Sequence, residues 1–270
     1  MKPGIAWLTG AASGVGRHLT GAFLERGWRV LATDLDEAGL AAAARTGWTP
    51  ERVLLRGLDV RDRDGWEDCY RALLAAWGGL DLMANIAGYI RPGWLMQSER
   101  SEIDRHMAIN FDGVVNGSLL AARHMTEQGH GRILNVASLA GVAPIPGLGA
   151  YSTSKFAVRA FSLALAMELQ PLGVHVTVLC PDAIDTPMLD RQVNADEAAL
   201  TFSGGRPLSV EEIERVVFGH VLPHRPVEVL LPTGRGLQAR LAGAFPRLAA
   251  LLLERLRKKG AKAQRARRRE

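Results

Sequence analysis

Cysteine is nearly absent from this 270-residue chain: Cys69 and Cys180 stand alone, without metal-ligand spacing or a framework of pairs. That excludes a disulfide-stapled scaffold and a cysteine-ligated zinc, so no metal is expected, and it fits a reduced, cytoplasmic compartment. Long apolar runs are missing as well. No stretch approaches the ~18 uninterrupted apolar residues of a spanning helix, and the opening Met-Lys-Pro-Gly-Ile-Ala-Trp-Leu-Thr-Gly lacks a signal-peptide core. Neither secretion by such a signal nor a membrane span is expected. Excess positive charge is absent from the body of the chain. The net charge of +5 arises in residues 255–270, where nine basic residues accompany one acid, whereas residues 1–254 carry 24 basic and 27 acidic residues. Specific nucleic-acid binding by the whole domain is therefore not expected, and the basicity belongs to a tail.

What is present suits one sizeable core: 47% of the residues are hydrophobic and 23% charged. Short apolar runs predict strands at Ile5–Thr9, Arg29–Thr33, Arg52–Leu55, Leu80–Asn85, Arg132–Ala137, His175–Leu179 and Val227–Leu231. Helical patterns separate them at about 14–26, 36–45, 62–77, 99–127, 151–170 and 209–221. Such alternation means parallel strands joined by right-handed crossover helices. The expected fold is α/β, a doubly wound parallel sheet of Rossmann type in a single domain over residues 1–234. Residues 182–208, with Pro187, Gly204, Gly205 and Pro207, read as an irregular substrate lid. Residues 235–270 read as an amphipathic helical extension with a basic tail.

Thr9-Gly10-Ala11-Ala12-Ser13-Gly14-Val15-Gly16 falls between the first strand and the first helix. Glycines there allow a tight turn and close backbone approach, and the helix N-terminus offers N–H groups to a pyrophosphate. The spacing is G-x-x-x-G-x-G; a plain glycine turn is the alternative. Asp34 ends the second strand, 18 residues after Gly16. A carboxylate there accepts hydrogen bonds from ribose hydroxyls and repels a 2′-phosphate, which favours NAD over NADP. Its competing reading is a helix N-cap, since Asp34 and Asp36 both precede a helical run. Tyr151 and Lys155, spaced i, i+4, share one helix face. An ammonium there is expected to lower the phenol pKa toward the working range. Ser138, ending the preceding strand, is placed to hydrogen-bond a substrate oxygen.

Together, the glycine loop, Asn85-Ile86-Ala87-Gly88, Asn110, Ser138 and Tyr151-Ser152-Thr153-Ser154-Lys155 resemble the short-chain dehydrogenase/reductase family, from about residue 4 to 188. The resemblance implies Tyr151 as general acid/base, Ser138 as the group polarising the substrate oxygen, and Lys155 as the nicotinamide-ribose contact. It implies that Asn110 anchors a water relaying protons from Lys155; the alternative is a mid-helix polar residue that kinks the helix. It further implies that Asp59 and Val60 meet the adenine, that Asn85 steadies the central sheet at the cofactor site, and that Ala87, Gly88, Pro181 and Thr186 line the nicotinamide half. Two departures stand out. Asp182 follows Pro181 where the family usually has glycine, so a side chain stands beside the nicotinamide end. The last strand, Val227–Leu231, leads into a helix-like extension in place of a glycine-rich tetramer contact, which argues for a homodimer.

The candidate pocket segments supply Ile90, Pro92, Trp94, Leu95, Met96, Val142, Ile145, Leu148, Met188, Leu189 and Phe202, with Arg91 and Arg191 the available cations. Such a lining predicts a lipophilic alcohol or ketone of steroid, retinoid or fatty-chain type. A non-catalytic dinucleotide-sensing or scaffold protein is the alternative function. In the extension, Leu237, Leu241, Phe245, Leu248, Leu252 and Leu256 recur at three- or four-residue steps, with Pro246 positioned to kink or split the helix. That stripe either packs on the protein or, with the basic run after it, contacts an anionic membrane peripherally.

Overall fold

The computed structural model describes residues 2–268; Arg269 and Glu270, part of the basic tail, lie outside the described residues. Seven parallel strands form one sheet in the order β3-β2-β1-β4-β5-β6-β7. They are β1 (Ile5–Thr9), β2 (Arg29–Asp34), β3 (Val53–Gly57), β4 (Leu82–Asn85), β5 (Gly131–Val136), β6 (Val174–Pro181) and β7 (Glu228–Leu231). The apolar run of β1 is buried at every position because helices cover both faces. Its side chains alternate between two cores. Ala6 and Leu8 point to a cluster with Leu19, Phe23 and Val217, while Ile5 and Trp7 point to one with Trp66, Leu73 and Met83.

The first cluster is covered by α1 (Gly14–Glu25), α2 (Glu37–Ala44) and α8 (Val210–Val216). The second is covered by α3 (Arg63–Trp77), α5 (Gly113–Gln128) and α6 (Gly149–Leu169). The helix expected at 99–127 runs unbroken over 100–128 but widens midway. It comprises α4 (Arg100–Met107), a π turn at Ala108–Asp112 that contains Asn110, and α5. The 209–221 helix likewise widens into a π turn at Val217–Val221 before the short α9 (Leu222–His224). The strand order reverses between β1 and β4, which opens a crevice at the carboxyl ends of the strands.

The 182–208 lid is more ordered than its proline and glycine content predicts. It holds α7 (Pro187–Val193) and a 3₁₀ segment, Asp196–Ser203. Leu189, Ala198 and Phe202 from these short elements pack with Ile90, Leu148 and Tyr151 in a third buried cluster. Elements this short carry little periodicity, so only tertiary packing reveals them. The C-terminal extension splits at Pro246 into α10 (Thr233–Ala244) and α11 (Pro246–Arg267), with the proline at the first turn of α11, where its missing N–H costs nothing. The basic run is thus helical to Arg267, and its end grips the lid. Gln264 Nε2 donates to Gln192 O (2.8 Å) and Ala195 O (2.7 Å), Arg267 pairs with Asp185 and Asp190, and Arg268 pairs with Asp196. The end of the basic tail therefore packs on the body, held by acids more than 70 residues away in the chain.

Candidate active site

Of the catalytic and cofactor-binding residues singled out in the sequence, all but Asn85 and Asn110 line one cavity of about 670 Å³ at the switch point. One end of it is built by the glycine loop and β2. Gly14 sits at φ +51°, and a Cβ there would also stand 3.2 Å from Thr186 Cγ2, so loop and lid approach too closely for a side chain. Asp34 Oδ2 accepts from Ala12 N (2.9 Å) and Oδ1 from Asp36 N (3.0 Å), which binds the end of β2 to the glycine loop. The N-cap of α2 is Asp36, accepting from Gly39 N (2.9 Å); the N-cap reading of Asp34 therefore falls away.

Next along the cavity, Asp59 is occupied by a partner the sequence reading missed. Both of its oxygens accept from Arg61 Nε (2.9 and 3.1 Å), and Oδ1 also accepts from Arg61 N (3.0 Å). The Arg61 side chain holds the Asp59 carboxyl below its usual range. Arg61 itself lines the cavity. Thr9 was missed as well: its Oγ1 accepts from Ile86 N (3.0 Å) and Ala87 N (3.1 Å), fixing the 86–88 turn over β1. A threonine ending a strand gives no signal of such a role without its partners.

Asn85 does not reach the cavity, contrary to its reading as a cofactor contact. Buried between β4, β5 and α5, it donates to Asn135 Oδ1 (2.8 Å) and Ser118 Oγ (3.1 Å), tying the central strands to their covering helix. Asn110 is also fully buried. Its Oδ1 accepts from Tyr89 N (2.6 Å), and its Nδ2 donates to Tyr89 O and Ser154 Oγ (both 2.9 Å). Its amide thus locks the loop after Gly88 to α6. This lock uses both Nδ2 hydrogens and one of the two Oδ1 lone pairs.

At the opposite end, Ser138 Oγ accepts from Ala140 N (3.1 Å) and donates to Pro181 O (3.4 Å). Tyr151 and Lys155 come from the first turns of α6. Lys155 Nζ donates to Val136 O at 2.8 Å and lies 5.8 Å from the Tyr151 ring centre. Burial pushes the Tyr151 phenol up to about 12, against the opposing hydrogen bond from Ser138. Burial also brings Lys155 down to about 8. In the protein alone, desolvation, not the expected lowering by Lys155, sets the direction of the Tyr151 shift.

Beyond Tyr151 the wall is formed by Ile90, Ile145, Leu148, Met188 and Leu189, as expected. Val142 and Phe202 are instead buried in packing clusters, Pro92, Trp94, Leu95 and Met96 lie off the cavity, and Arg91 pairs with Glu102. Arg105, Arg191 and Arg235 do line it. Arg235, from α10, donates to Asp182 Oδ2 at 2.9 Å, so the acid in place of the usual glycine fastens the C-terminal extension to the site. Among the described residues, no cluster of three or more His, Cys, Asp or Glu side chains could hold a metal ion.

A dinucleotide-type cleft with a half-buried serine and a buried tyrosine and lysine at the ends of parallel strands defines the class: a Rossmann-fold oxidoreductase. The chain belongs to the short-chain dehydrogenase family, whose model matches residues 4–197. It is 34% identical over 198 residues to the 2-(R)-hydroxypropyl-CoM dehydrogenase of Xanthobacter autotrophicus, covering 72% of this chain and 79% of that protein. It is 30% identical over 216 residues to the 3-oxoacyl-[acyl-carrier-protein] reductase of Thermotoga maritima, covering 79% and 88%. A short-chain dehydrogenase/reductase from Burkholderia phymatum, solved in complex with NAD, superposes with a TM-score of 0.82 at 25% identity, over 92% of this chain and 95% of that one.

Proposed function

We propose that this protein is an NAD-dependent oxidoreductase that moves a hydride between its cofactor and a lipophilic alcohol or ketone, using Ser138, Tyr151, Lys155 and Asn110. The observation that carries this reading is one cavity with Asp34 at one end and Tyr151, paired with Ser138 beside Lys155, at the other.

The residues fit the cofactor. The glycine loop lines the cavity with no side chain at Gly10, Gly14 or Gly16 to fill it, and the Asp34 oxygens keep lone pairs beyond the two N–H bonds they accept. The loop from Gly10 to Gly16 would hold the pyrophosphate, with Asp34 on the adenosine ribose and Asp59 and Val60 beside the adenine. Ala87, Gly88, Pro181, Thr186 and Lys155 would hold the nicotinamide half. When bound, NAD supplies the hydride acceptor, or the donor in reduced form.

The chain's own groups manage the proton. Tyr151 Oη takes it from an alcohol during oxidation and returns it during reduction. Ser138 Oγ, fixed by the Ala140 N–H, would turn its hydroxyl hydrogen from the long bond to Pro181 O (3.4 Å) to the substrate oxygen. The Lys155 ammonium, steered by Val136 O, offsets the phenolate charge that burial disfavours. Asn110 acts by position, joining Tyr89 to Ser154, and any relay past Lys155 falls to the widened backbone of its π turn.

The apolar wall from Ile90 to Leu189 supports a lipophilic substrate. Arg191, also on the wall, favours a second version in which that substrate ends in an acidic group. The relatives' names, a dehydrogenase and a reductase, leave both directions open. We take the assembly to be a homodimer, supported by the exposed Leu119 on α5 and Phe156 and Met167 on α6; light scattering tests it. A panel of lipophilic alcohols, with and without a terminal carboxylate, followed at the NADH absorbance tests the reaction. NAD binding without turnover of any alcohol or ketone would favour the alternative, a dinucleotide-sensing protein.

A further inference from the structure

The inner faces of α10 and α11 are fixed to the body. Arg235 pairs with Asp182 and Arg240 with Glu228. On α11, a Cβ on Gly260 would lie 1.9 Å from Ala199 O, and Gln264 is buried against the lid. These contacts determine which side of each helix faces out. At 3.6 residues per turn, the side of α11 opposite Gly260 and Gln264 carries Leu248, Leu251 and Leu252, then Arg255, Lys259 and Lys262. Leu237 and Leu241 share the outer side of α10, and Phe245 stands at the break between the helices. These six apolar side chains are 53–79% exposed. The body needs none of them for its own core, so they form an unpartnered apolar face.

Charge selects what covers it. Arg255, Lys259 and Lys262 make no ion pair among the described residues, and the single acid of the helix, Glu254, lies 3.5 Å from Lys258. Symmetric pairing with a second copy would set these cations against themselves or against the partner's leucines, with no acid on the face to meet them. A phospholipid surface with anionic headgroups offers negative charge and an apolar phase together, in the order this face presents them. Among the described residues no helix is long and apolar enough to cross a membrane, so the helices would lie on it.

We propose that the outer face of α10 and α11 docks on an anionic phospholipid surface. This goes beyond the oxidoreductase reading and does not depend on it. The docked helix would sit directly behind the 196–203 segment, whose Leu200 and Thr201 line the substrate end of the cavity.

The test is co-sedimentation of the full chain with phosphatidylcholine vesicles and with vesicles of phosphatidylcholine and phosphatidylglycerol. Truncation is unsuitable because Gln264, Arg267 and Arg268 hold the lid. Two substituted chains serve instead: L248E/L251E/L252E and R255E/K259E/K262E. Thermal melts and NAD saturation on each preparation report folding and the site separately from docking. The intact chain is expected to pellet with the anionic vesicles at low salt and to be released at high salt. It should stay in solution with phosphatidylcholine alone, and each variant should bind at least tenfold more weakly while its melt and NAD saturation stay unchanged. No pelleting of the intact chain would overturn the proposal, as would equal pelleting of the leucine variant. A dimer that dissociates on the leucine substitutions would assign the face to a second copy.

Discussion

On the proposed reading Asp34 sets cofactor choice, and the size of its effect follows from its contacts. Its two oxygens already accept from Ala12 N and Asp36 N at 2.9 and 3.0 Å, which orients the carboxylate and leaves lone pairs facing the cavity. Ribose hydroxyls donating to a charged acceptor contribute about 1.5–3 kcal/mol. Asp34→Ala should therefore weaken NAD binding by roughly 10- to 150-fold. For NADP the sign differs, because a carboxylate 4 Å from a phosphate charge costs up to about 4 kcal/mol at an effective dielectric of 20, less with salt screening. Removing it should leave NADP binding equal or stronger, so the preference collapses from both sides. No nearby cation compensates from helix α1: Arg17 Nη2 is turned to Thr46 Oγ1 at 3.0 Å. Asp34→Asn is the control, since it keeps the shape but loses the charge and one acceptor. Saturation of NADH and NADPH fluorescence on the three proteins gives the three ratios needed. A wild type that prefers NADP, or an unchanged ratio in Asp34→Ala, would refute the reasoning and turn attention to Arg61.

Three further outcomes are expected. Tyr151→Phe should nearly abolish turnover with fold and NAD binding intact, whereas Lys155→Ala should reduce both turnover and cofactor affinity; steady-state kinetics and NAD titration separate the two. Because burial raises Tyr151 to about 12, alcohol oxidation, which needs the phenolate, should accelerate as pH rises through neutrality, while ketone reduction, which needs the phenol, should not; paired pH–rate profiles check this. His106, buried, accepts from Arg91 N through Nε2 (3.2 Å) and bonds Glu102 O through Nδ1 (2.8 Å), an arrangement that needs the neutral ring, and burial lowers its pKa below 6.5. The unfolded chain therefore takes up the proton first: stability present above about pH 6.5 is lost as pH falls from there toward the folded value. Thermal melts should show that loss in the wild type and a shallower one in His106→Gln.

Local chemistry made much of this protein legible from its residues. The β1 run Ile5–Thr9 could only be a strand buried on both faces, and the glycines after it could only be a turn opening a helix. The i, i+4 spacing of Tyr151 and Lys155 sets them on one face whatever surrounds them. Periodicity also shows the apolar stripe from Leu237 to Leu256, because the helix repeat is a property of the backbone. Other features depend on distant partners. The π turn that buries Asn110 forms where its amide reaches Tyr89 and Ser154, 21 and 44 residues away. Asp59 is spoken for by Arg61, and Asp182 by Arg235, through side-chain geometry that spacing does not reveal. The phenol pKa follows desolvation, which exists only once the core has closed around Tyr151. Whether the C-terminal cations are free or paired was likewise decided by the fold, which brings Asp185, Asp190 and Asp196 up against Arg267 and Arg268 and leaves the leucines of the same helix facing outward.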